Sequence, residues 1–85
     1  MRRLRQRHKV TAAQVAKDAW AQSNGDRDAF EQLVKEDQRT KSIDPALIIL
    51  FIRLAMAIFE YFKNRQSVSA ESDEEIVLAA TRFYE

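Results

Sequence analysis

The sequence predicts an all-α protein, a small bundle of about four helices packed around one long, nearly all-apolar central helix. Three observations carry that prediction. One glycine and one proline in 85 residues leave few of the turns that a strand architecture needs. Apolar residues recur at i, i+3 and i+4 in several segments that open with capping sequences. The stretch from Asp44 to Lys63, DPALIILFIRLAMAIFEYFK, holds most of the Leu, Ile and Phe side chains.

The chain divides into a basic arm, residues 1–10, and a single helical domain, residues 11–85. A chain this short buries only a little over about 60% of its unfolded surface, so an oligomer or a partner would add stability. There is no cysteine, which removes disulfides, thiolate metal sites and a cysteine nucleophile. The net charge of +1 conceals a segregation: residues 1–10 carry +5, residues 11–44 carry −2, residues 45–66 carry +2 and residues 67–85 carry −4.

The arm, MRRLRQRHKV, has no apolar run after its basic residues and does not read as a secretory signal. If extended, it sets Arg3, Arg5, Arg7 and Lys9 on one side and Arg2 and His8 on the other. Arg2, Arg3, Arg5, Arg7 and Lys9 are therefore the candidate residues for an anionic partner: nucleic-acid phosphates, an anionic lipid surface or an acidic protein.

The first helix is expected at 12–23. Thr11 and Gln14 form a capping box, and Val10 stands where it can staple to Val15. Ala12, Val15, Ala16, Ala19 and Trp20 share one face, which points Trp20 inward, and Asn24-Gly25 ends the helix in left-handed conformations. The second helix is expected at 27–40, capped by Asp26, or by Asp28 with Glu31. Its stripe of Ala29, Phe30, Leu33 and Val34 fades into the charged run Lys35 to Arg39. Within it, GDRDAFEQLV resembles the opening helix of the sigma-factor family of transcription initiators, where a similar Gly-Asp-Arg and Ala-Phe pairing begins the core-binding region. The likeness stops at those ten residues. Residues 44–63 depart from the promoter-recognising helices that follow in that family, so no function is carried over.

The central helix is expected at 45–64. Asp44 caps it, Pro45 suits the first helical position, and Ile43 and Ile48 stand as a hydrophobic staple. Lys63 and Arg65 favour its C-terminal dipole, and Asn64 suits a left-handed cap. Arg53 and Glu60, seven residues apart, fall on one narrow polar stripe with Ala46, Ala57 and Asn64. They are expected to form a buried ion pair, within or between subunits, that fixes register. The rest of the circumference is apolar, and Ile48, Phe51, Ile52, Ile58, Phe59 and Phe62 are the expected assembly interface. A membrane span is the competing reading. The ten Leu, Ile and Phe residues from Leu47 to Phe62 contribute roughly −3 to −6 kcal/mol to insertion, and a central arginine opposes that by about +2.5 to +3.5 kcal/mol. With Glu60 added the balance is near zero.

The segment NRQSVSAES reads as a linker. Ser72 and Glu75 then form a capping box for a last helix at 73–84, with Ile76, Val77, Ala80, Phe83 and Tyr84 on one side and Leu78 off the stripe. The acidic run Glu71, Asp73, Glu74, Glu75 lacks the spacing of a calcium loop.

The single histidine and the absence of phosphate-loop, dinucleotide or metalloprotease motifs leave no catalytic constellation, so neither an enzyme, a cofactor nor a metal is expected. The composition points instead to a structural or adaptor protein that assembles through the central helix as a homo-oligomer or in a larger complex. A virion or other multi-subunit particle would suit it, in a cytoplasmic or particle setting. A membrane-associated protein whose central helix inserts is one alternative, and a small nucleic-acid-binding accessory protein is another.

Overall fold

A computed structural model describes residues 4–64 and 72–84, the side chains of 82–84 excepted. Among the described residues five helices follow one another: α1 (Gln6–Ser23), α2 (Arg27–Glu36), α3 (Gln38–Lys41), α4 (Pro45–Lys63) and α5 (Asp73–Tyr84). The radius of gyration is 11.6 Å, which matches the roughly 12 Å of a folded domain of this length. The protein is an all-α bundle in which α1, α2 and α5 pack on the central apolar helix α4.

Most helix ends obey their local signals. Asp26 accepts the Asp28 and Ala29 amides at 2.9 and 3.2 Å and caps α2. Asp44 accepts the Ala46 amide at 2.9 Å with Pro45 in the first turn of α4. Before α5, the Ser72 hydroxyl accepts the Glu75 amide at 3.2 Å, the N-cap half of a capping box, and donates to the Glu75 carboxylate at 3.3 Å. Asn24, at φ 54°, and Gly25, at φ 81°, stop α1 in the left-handed region. Asn64 differs from expectation, closing α4 at φ −88° and ψ 2°.

Two elements depart from the sequence reading. The first is α1, which starts at Gln6 rather than Ala12. Leu4 is buried, and the stripe Leu4, His8, Ala12, Ala16, Ala19 extends the buried face back into the basic segment. Arg, Gln and Lys are good helix formers, and Thr11 does not cap: its hydroxyl donates to the Arg7 carbonyl at 2.9 Å inside the helix. Residues 6–10 are thus not an extended arm.

The second departure is at Asp37, which breaks the expected 27–40 helix. Its backbone is extended (φ −66°, ψ 135°) and its carboxylate accepts the Arg39 amide at 2.8 Å, which makes it the cap of α3. The Arg39 guanidinium returns to Asp37 at 3.0 and 2.9 Å and reaches Asp18 of α1 at 2.6 Å, tying the break to the first helix. These donors hold the Asp37 carboxyl below the usual carboxylate range, the Arg39 side-chain bonds contributing most. A depressed folded-state pKa stabilises the fold fully above the unfolded value, near pH 4, and is lost as pH falls through the folded value. Asp37→Asn keeps a capping side chain but removes this charge. Urea titrations should show it less stable than wild type by up to about 1 kcal/mol at pH 7, with the gap closing toward pH 3.

The core is built on α4. Phe51, Ile58, Phe59 and Phe62 are fully enclosed together with Phe30 of α2, Val15 of α1 and Ile76 of α5. Trp20 meets Phe59 and Phe62 edge-on at 5.3 and 5.6 Å between ring centres, and Phe30 lies 4.8 Å from Phe59. Four buried alanines, Ala12, Ala13, Ala16 and Ala19, leave α1 a thin inner surface. The N-terminus of α5 is held by Asp73, which pairs with Lys17 and accepts from Gln14 at 3.2 Å. Phe83 and Tyr84, expected to face inward, have side chains outside the described residues.

Candidate functional site

At roughly 100° per residue, a helix of five turns presents every direction to its surroundings. The bundle covers only part of that circumference on α4. Phe51, Leu54, Ile58, Tyr61 and Phe62 turn inward and are buried. Ile49, Ile52, Arg53, Met56 and Glu60 lie along the outer side. Ile49 is 69% exposed, Arg53 is exposed, and Ile52, Met56 and Glu60 are half-buried, as are Ile48 and Leu50 on the flanks. An open groove of about 590 Å³ runs along this side, lined by Ile52, Arg53, Met56, Ala57, Glu60 and Asn64 of α4 and its cap and by Arg27 at the start of α2.

This placement corrects the expected interface in its main part. Phe51, Ile58, Phe59 and Phe62 are the core of the single chain and are unavailable to a partner. Ile48 and Ile52 retain partial exposure. The stripe also contains Ile49, which the sequence reading does not single out although it stands four positions before Arg53, about 40° round the helix from it. Arg27 was likewise unforeseen, because only the tertiary fold brings α2 beside α4.

Within the chain, Arg53 and Glu60 do not form a buried ion pair. Arg53 is exposed and Glu60 half-buried, and no ion pair joins them among the described residues. Seven residues correspond to about 10.5 Å of rise, well beyond the reach of a direct contact within one helix. The outer side also leaves both groups hydrated, so neither demands a partner inside the chain.

The candidate anion-binding residues are only partly described. Arg2 and Arg3 lie outside the described residues. Arg5 and Arg7 are exposed and Lys9 is half-buried. Because this segment is helical from Gln6, Arg5 and Lys9 fall on one side and Arg7 about 200° round from Arg5, so the structure does not gather them as an extended strand would. The Nδ1 atom of His8 is enclosed without a hydrogen-bond partner. Among the described residues no group of three or more His, Asp or Glu side chains converges on a metal position. Of the acidic run, Asp73 is engaged by Lys17 and Gln14, while Glu74 and Glu75 are exposed.

By length and composition α4 is apolar enough to cross a membrane, with a mean hydropathy of 1.9 over 18 residues, of which 44% are buried within the bundle. No protein-family model matches the sequence, and no curated protein or solved structure matches it.

Proposed function

We propose that the chain is a non-catalytic assembly or adaptor protein that docks on another protein through the outer stripe of α4. The observation that carries this reading is Ile49, 69% exposed at the head of a stripe where Ile52 and Met56 are only half covered. Single exposed apolar residues are ordinary, but a contiguous apolar stripe rimmed by Arg53, Glu60 and Arg27 has the composition of a contact surface. The test is a photo-crosslinking side chain at position 49, with the exposed position 32 of α2 as control. The reading expects a defined protein adduct at 49 only, lost when Ile52→Asp is added. Equal labelling at 49 and 32, or none at either, would end it.

Insertion of α4 in a bilayer is the second reading, favoured by its hydropathy. It requires α4 to leave the aromatic cluster with Trp20 and Phe30, and it places Arg53 near the middle of the span. The basic start of the chain offers an anionic contact under either reading. If Arg2, Arg3, Arg5, Arg7 and Lys9 all engage duplex phosphates, log affinity against log salt should fall with a slope of about −4 to −5, and Arg5→Ala with Arg7→Ala should reduce it by about 2. A salt-indifferent titration removes nucleic acid as the partner.

A further inference from the structure

The outer stripe of α4 carries its own complement, and we infer that its occupant is a second copy of this chain, with the two α4 helices antiparallel across a two-fold axis passing between Met56 and Ala57. This rests on the reading of the stripe as a protein contact. Arg53 and Glu60 stand 3.5 residues to either side of that axis, about 5 Å along the helix each way. The two-fold therefore brings each Arg53 against the partner's Glu60, twice over, with the two Met56 side chains meeting between the bridges. An isologous contact needs a surface that complements itself in this manner. Neither charge is spent inside its own chain, since no ion pair engages Arg53 or Glu60 among the described residues. Ile49 then lies at the ends of the contact, where the aliphatic stem of the partner's Lys63 can cover it.

The charges exclude the competing arrangements. A parallel pair in register sets Arg53 beside Arg53 and Glu60 beside Glu60. An antiparallel pair centred between Ile52 and Arg53 joins Ile49 to the partner's Met56, but it brings the two arginines together at the axis and leaves Glu60 outside. Only the axis between Met56 and Ala57 matches both charges.

The experiment is a charge exchange read by sedimentation over a range of protein concentration. Wild type should approach twice the 9.9 kDa chain mass. Arg53→Glu alone and Glu60→Arg alone each create two like-charge contacts and should raise the dissociation constant by about tenfold or more. An equimolar mixture of the two single variants should recover the wild-type constant within about threefold, because each then supplies the charge the other lacks. The double variant should also recover it. Helicity by circular dichroism should be unchanged throughout, since Arg53 is exposed and Glu60 is only half-buried. Single variants that dimerise like wild type, or a mixture that fails to recover, overturn the inference. A wild type that stays monomeric while crosslinking from position 49 still yields a defined adduct with another protein overturns it and leaves the contact reading standing. A monomer with no adduct at position 49 overturns both.

Discussion

Phe59→Ala should remove about 3 to 5 kcal/mol of stability, a large share of the roughly 4 to 13 kcal/mol that a chain of this length possesses. Phe59 is fully enclosed and is the ring on which three side chains converge: Trp20 of α1 meets it at 5.3 Å, Phe30 of α2 lies at 4.8 Å, and the ammonium of Lys63, one turn on in α4, sits 6.0 Å above it. Alanine would leave a void against two aromatic rings that helix backbones cannot collapse to fill. Urea denaturation followed by circular dichroism measures the loss. A change below about 1 kcal/mol is incompatible with a residue so enclosed.

A second large effect separates the two sides of α4. Phe51→Asp should leave the chain unfolded, because it deletes a fully enclosed ring and installs a carboxylate where nothing pairs with it, at a cost of several kcal/mol. Ile49→Asp, two residues away, should change monomer stability by no more than about 0.5 to 1 kcal/mol, since the side chain is 69% exposed and the main loss is helix propensity. Thermal unfolding of both variants decides this. Equal damage from the two would mean that Ile49 is covered in the folded chain.

Residues 49 and 51 also mark the limit of what the sequence could disclose. The existence of α4, its cap and its dominance were legible because Asp44-Pro45 and an apolar run leave no competing local structure. Its inward direction was not. When nearly the whole circumference is apolar, periodicity no longer says which side is core, and Phe51, Ile58, Phe59 and Phe62, candidates for an interface by sequence, are enclosed within the chain. The sequence sets Arg53 and Glu60 on one stripe and implies their burial from the apolar circumference of the helix, whereas the structure turns that stripe outward.

The ends of the other helices failed for a related reason. Thr11 with Gln14 has the form of a capping box, yet a buried Leu4 supplies one more apolar contact upstream and the helix runs through it. Asp37 stood inside a charged run with no apolar period to confirm or deny a helix. Its role emerges only when Arg39 is seen to grip Asp18 of another element. Asp44 and Ser72, flanked by clear apolar changes, cap as the sequence predicts, and at the start of α2 the structure selects Asp26 over the alternative Asp28.

The central claim is that α4 builds the core with one side and offers the other for association, and methyl NMR tests it most directly. As protein concentration rises from micromolar to millimolar, the methyl resonances of Ile49, Ile52 and Met56 should shift or broaden together, while those of Ile58 and Ile76, enclosed in the core, stay fixed. Shifts confined to core methyls, or outer methyls that stay fixed across the whole range, would contradict it.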